Sequence, residues 1–135
     1  MPCTSTGYIV IGNKWKEQSQ AAIAGPSGNA LSHAERQAFN GLVYKPGPYL
    51  IVQDAFPCFD KCHKYFLQIS ASVSVIIKVT ANKTFDMISY VQKDLVTAIG
   101  CFPWYIYYKG GIAIFSMGIP GAPNNFPAHP SPIDV

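Results

Sequence analysis

The chain has 135 residues, 49% hydrophobic and 13% charged, which is enough apolar material for one core and too much for a chain disordered along its length. Ten Lys/Arg against seven Asp/Glu give a net charge of +3, which permits a polyanionic partner without requiring one. Four irregularly spaced cysteines are too few for a disulfide scaffold and point to a reducing working compartment.

"GYIVIG" (7–12) reads as a buried strand, a β-branched run bounded by glycines, and "SQAAIAG" (19–25) as its hairpin partner. "GPSGNAL" (25–31) is a loop. Ser32 then caps a helix over 32–44, in which Ala34, Ala38 and Leu42 recur at i, i+4 and i+8, with Phe39 and Val43 widening the face. "KPGP" (45–48) ends it. "YLIVQD" (49–54) is a continuous apolar strand of the kind covered on both faces in parallel sheets. A second helix over 58–71 places Cys62, Phe66 and Ile69 on one side, and "SVSVIIKVT" (72–80) is the next strand. A third helix over 84–100 ends at Gly100, and "WYIYY" and "IAIFS" are strands joined through "KGG". No apolar run reaches the length of about 20 residues that spans a bilayer, and "MPCTSTGYIVIG" lacks the basic start and long apolar core of a signal peptide.

This order predicts one α/β domain over 1–118, with a mixed central sheet of about five strands and helices on both faces. Right-handed crossovers would make the strands at 49–54, 72–80 and 104–108 parallel. Residues 119–135, with five prolines, cannot be a helix or a central strand and are expected as an extended tail.

The lengths carry the argument from fold to chemistry. The first helix would descend about 18–20 Å, and the strand 49–54 would climb back roughly 20 Å. Two helix starts, one near His33 and one near Cys58, then meet at one edge of the sheet. What meets there is His33, Glu35, Cys58 and Cys62. One imidazole and two thiolates are three zinc ligands, and a water can take the open fourth position of a catalytic site. Helix N-termini favour thiolates. Glu35, two residues from His33, can reach that water without binding the metal. His63 is the alternative to Cys62 as a ligand.

His33-Ala34-Glu35 and Pro57-Cys58-Phe59-Asp60-Lys61-Cys62 resemble the H-x-E and P-C-x-x-C signature of the zinc-dependent nucleoside and nucleic-acid deaminase superfamily. "SHAER" followed by "PCFDKC" looks most like the deaminase domains of bacterial polymorphic toxins. The cysteines here are separated by three residues rather than two, which still leaves them neighbours on a helix. The resemblance covers about the first 110 residues. It implies a three-layer cytidine-deaminase-like fold and zinc held by His33, Cys58 and Cys62, with Glu35 as the catalytic proton carrier. The reaction it implies is conversion of cytosine to uracil in DNA, single strands favoured. It further implies a monomer, a partner immunity protein, no membrane contact, and delivery or secretion as an effector that acts in the cytoplasm of a target cell.

Each residue also has a plainer role. Ser32-His33-Ala34-Glu35 is S-x-x-E, a capping box. Pro57 is a common helix-start proline, and Cys58 and Cys62 taken alone read as core thiols. Asn29 either holds a sugar hydroxyl or phosphate or makes a turn. Phe56 lines a base pocket or caps the core. The aromatics of "CFPWYIYY" read mostly as core, and Trp104, at a strand end, either joins them or stacks on a base. Ala34 and Pro57, inside the two motifs, complete the candidate substrate contacts. Two other functions compete: a metabolic deaminase of free cytidine or a related nucleoside, and a zinc-stabilised binding module without catalysis. The intact Glu35 argues against the second.

Overall fold

A computed structural model describes residues 3–23, 34–42, 44–57, 59–81, 102–118 and 120–135. Strands β1 (Cys3–Ile11) and β2 (Lys14–Ile23) form the opening hairpin, turned at Gly12-Asn13 with φ of 60° and 62°. Helix α1 (Ala34–Asn40) leads to β3 (Tyr49–Gln53). A π-helical turn (Phe59–His63) runs directly into α2 (Lys64–Ile69), followed by β4 (Val75–Val79) and the hairpin β5 (Trp104–Lys109) and β6 (Ile112–Met117). The six strands form one mixed sheet in the order β2-β1-β3-β4-β5-β6.

The β3–β4 pair is parallel, as the crossover through α2 requires. The expected parallel orientation of the strand at 104–108 is not what forms: β5 is antiparallel to β4, with Val79 opposite Trp104. The chain therefore re-enters the sheet at the edge where β4 leaves it. Sequence alone could not show this, because the apolar alternation of a strand is the same in both directions.

Strand periodicity divides the core. Ile9, Ile51, Val75, Ile77, Val79, Trp104, Ile106 and Tyr108 face the two helices and pack on Phe39, Leu42 and Phe66. Leu50, Ile76, Tyr105 and Tyr107 face the other way, with Trp15 and Phe126. Among the described residues both helices lie on the first face. The third expected helix, 84–100, lies outside the described residues. The second face carries residues from the proline-rich stretch, which lies on the sheet as a strap rather than leaving it. Trp15 Nε1–H donates to Pro130 O at 2.8 Å, and Lys78 Nζ donates to the main-chain oxygens of Pro132, Ile133 and Val135 at 3.0, 2.9 and 2.7 Å. Among the described residues no helix is long and apolar enough to cross a membrane.

Two boundaries differ from expectation. The helix expected over 32–44 stops at Asn40, where the N–H groups of Gly41 and Leu42 turn back to Ala38 O and Phe39 O at 3.2 and 2.8 Å. Gly41, the poorest helix former short of proline, is where the winding tightens. The helix expected from 58 begins as a π turn and becomes α-helical only at Lys64.

Candidate functional site

Position on the sheet follows from close packing. Gly7 pairs with Ser19 on one side and Ile51 on the other. A Cβ at Gly7 would collide with Ser19 Oγ and come within 2.9 Å of Leu42 Cδ1. Ser19 Oγ donates to Ala38 O at 2.6 Å, which holds the end of α1 down on the hairpin. From that anchor at Ala38, Glu35 lies three residues back along the helix, a rise of about 4.5 Å. Gln53 lies two residues on from Ile51, about 7 Å. The first turn of α1 therefore stands at the edge where β3 ends, and the chain from β3 enters the π turn at that same edge.

The two helices are neighbours. Phe39 meets Phe66 edge to face at 5.8 Å and Tyr65 at 6.2 Å, and the Arg36 guanidinium lies 3.7 Å above the Tyr65 ring. Such a stacked cation adds about 0.5–2 kcal/mol across the seam. Glu35, on the first turn of α1, is only 4% exposed, and Cys62, on the π turn, is fully buried. Ala34 and Pro57 are buried as well.

Between them, Gln53 shapes the connection. It is 1% exposed, accepts from Ser5 Oγ at 3.2 Å, and donates through Nε2 to Ala55 O at 2.6 Å. Its carbonyl takes the N–H and hydroxyl of Thr80 at 2.8 and 3.2 Å. Asp54 Oδ1 accepts from Thr4 N–H at 2.9 Å. The turn from 54 to 57 is thus tied to three strands before it delivers the chain to α2. Sequence reasoning missed Gln53. The available signal was a polar residue closing an otherwise apolar strand.

His63 points elsewhere. Its ring packs on Tyr108 and Phe115, and its Nδ1 lies 2.8 Å from Tyr108 Oη. Burial pulls its pKa down to about 4, so the imidazole is neutral near pH 7. Nothing in the sequence marked Tyr108 as its partner.

Phe56 and Trp104 pack edge to face at 6.0 Å inside the helix-side core, and neither presents an open ring face. The Trp104 indole N–H is buried with no hydrogen-bond partner among the described residues. His33, Cys58 and Asn29 lie outside the described residues. Of the four residues expected to form the metal site, the described pair, Glu35 and Cys62, sits on adjacent helix starts. Among the described residues alone no three His, Cys, Asp or Glu side chains gather. No family model, curated protein or solved structure matches the chain.

Proposed function

We propose that the chain is a zinc-dependent hydrolytic deaminase that converts cytosine to uracil in DNA, preferring single strands, of the toxin-domain kind. The observation that carries the reading is the burial of Glu35 and Cys62 on neighbouring helix starts at one sheet edge. A capping box works as well with a solvated carboxylate, whereas burying one is costly. A buried carboxylate and a buried thiol on neighbouring helices are residue types that a zinc site with a proton carrier uses. In this reading His33 and Cys58 complete the ligands of a three-layer deaminase fold.

Two further features support it. A π turn holds roughly one residue more per turn than an α-helix, so an i,i+4 pair lies as nearly on one side there as an i,i+3 pair does on an α-helix. The π turn at Phe59–His63 holds Cys62 and is compatible with the extra residue between the cysteines. The His63 ring packs on Tyr108 and Phe115, on the β5–β6 side, which favours Cys62 over His63 as the ligand.

Zinc, when bound, supplies the Lewis acidity that makes a water nucleophilic at neutral pH. Glu35 takes a proton from that water and delivers it to the ring nitrogen as the water oxygen attacks the amino-bearing carbon. It then carries a proton to the departing amine, so water is consumed and ammonia leaves. The test is incubation of the chain with single-stranded DNA, RNA, duplex DNA and free cytidine, with uracil or uridine as the readout. Uracil in the single-stranded DNA, absent with Glu35→Ala, is the expected result. Turnover of cytidine alone would replace this reading with a metabolic enzyme, and no turnover of any substrate by zinc-loaded protein would end it.

A further inference from the structure

The strap on the second face of the sheet has the chemistry of a ligand in a groove. Residues 127–132 contain Pro127, Pro130 and Pro132, and Ser131 has φ −62° and ψ 129°, within the polyproline II region. Proline also biases the residue before it to extended geometry. An indole N–H donates to a prolyl carbonyl, Trp15 Nε1 to Pro130 O at 2.8 Å. His129 is wedged between Trp15 and Tyr107 with ring centroids 5.9 and 6.0 Å away, and Phe126 meets Tyr107 edge to face at 5.1 Å. An aromatic floor with a side-chain donor aimed at a prolyl carbonyl is how proline-rich segments are bound, because a polyproline helix has no internal hydrogen bonds; here the Pro130 carbonyl also lies 2.7 Å from His129 Nδ1 of the same segment.

The strap fills this groove incompletely. The hydroxyls of Tyr105 and Tyr107 are fully buried beneath it and have no partner among the described residues. Two donors without acceptors are a defect for a permanent part of a core and an opportunity for a ligand that brings carbonyls. Tethering explains why an imperfect occupant stays, since a linked segment acts at an effective concentration of the order of millimolar.

We infer that the face opposite the two helices is a groove for proline-rich extended peptides, occupied at rest by the chain's own segment 126–135 and open to such a peptide in trans when that segment lifts. The partner is defined by its chemistry, a proline-rich stretch presenting main-chain carbonyls. The inference does not depend on the proposed deaminase activity.

The test begins with the whole chain, carrying a protease site inserted between the exposed Gly121 and Ala122. The protein is folded intact, cut, and mixed with a fluorescent peptide of residues 122–135. The cut protein should keep its circular dichroism spectrum, exchange its strap for the labelled peptide, and lose it again to decaproline. Trp15→Phe should weaken the peptide about tenfold, the worth of one net hydrogen bond. A peptide carrying Pro127→Ala, Pro130→Ala and Pro132→Ala should bind at least about fivefold more weakly, having lost its preorganisation. Unfolding of the core on strap release, failure of decaproline to compete, or equal binding of the alanine peptide would each overturn the inference. If the insertion prevents folding, the labelled peptide is titrated instead against the uncut chain bearing Phe126→Ala and His129→Ala. Those changes weaken only the tethered occupant, so tighter binding than to the unsubstituted chain supports the groove and unchanged binding overturns it.

Discussion

Replacing Gln53 by Leu tests whether the turn before the second helix is held as described. The side chain is 1% exposed and makes two hydrogen bonds, from Ser5 Oγ at 3.2 Å and to Ala55 O at 2.6 Å. Leucine nearly preserves volume but leaves a buried hydroxyl and a buried carbonyl without these partners. Each costs about 1–3 kcal/mol when stranded, so the loss after some relaxation should be about 2–4 kcal/mol. For a chain of this length about 4 °C of melting temperature accompanies each kcal/mol, which predicts a fall of roughly 8–16 °C. Adding Ser5→Ala to Gln53→Leu removes one stranded group and should recover about 1 kcal/mol, a non-additivity that a double-mutant cycle reads directly. Because Ala55 lies three residues before Cys58, the looser turn should also weaken zinc by about tenfold, the lower end of the effect of losing a supporting contact at a metal site. Thermal melts and a zinc-chelator competition on the same samples measure both. A melting temperature within about 2 °C of the parent would refute the reasoning, since it would mean that neither bond contributes.

Glu35→Ala should keep the fold and the zinc while abolishing uracil formation; a capping role alone predicts instead a loss of about 0.5–2 kcal/mol with activity kept. Cys62→Ala should lower zinc content below one ion per chain, as read by elemental analysis, and reduce stability. Gly7→Ala should destabilise by about 1–3 kcal/mol, because the new methyl group meets Ser19 Oγ and Leu42 and lifts α1 from the hairpin. Burial, helped by the nearby Tyr105 phenol, pushes the Tyr107 pKa up to about 12. The folded chain therefore keeps a proton that the unfolded chain releases above about pH 10, so stability should fall as pH rises from about 10 to 12. Tyr107→Phe should remove that share of the alkaline sensitivity and, by deleting a stranded hydroxyl, stabilise the protein by about 1 kcal/mol at pH 7. Oligonucleotide turnover should fall steeply as salt is raised, because phosphate contacts release counterions, whereas a free-nucleoside reaction would be far less sensitive.

Local pattern was enough to find most of the elements. The apolar run at Tyr49–Gln53, the aromatic run at Trp104–Lys109 and the glycine turn between β5 and β6 announce their strands through residue type alone. The four candidate site residues, His33, Glu35, Cys58 and Cys62, were singled out by spacing and residue type, which are properties of the chain itself. What depended on distant contacts was not. The direction of β5 is a choice that side-chain alternation leaves open, and it was made by where the chain re-enters the sheet. Proline content excluded an α-helix from the last stretch, where a single 3-10 turn forms at Pro132–Asp134, but could not say whether the stretch leaves the domain. Trp15 and Lys78, 115 and 54–57 residues away from their partners in the strap, decide that with four hydrogen bonds. Gln53 falls inside the strand expected over 49–54 and becomes a brace only when Ser5, 48 residues earlier, is laid beside it. The burial of Glu35 likewise arises only when α1 is packed against the hairpin and α2: exposure is set by what the rest of the chain places over a residue, which spacing along the chain does not encode.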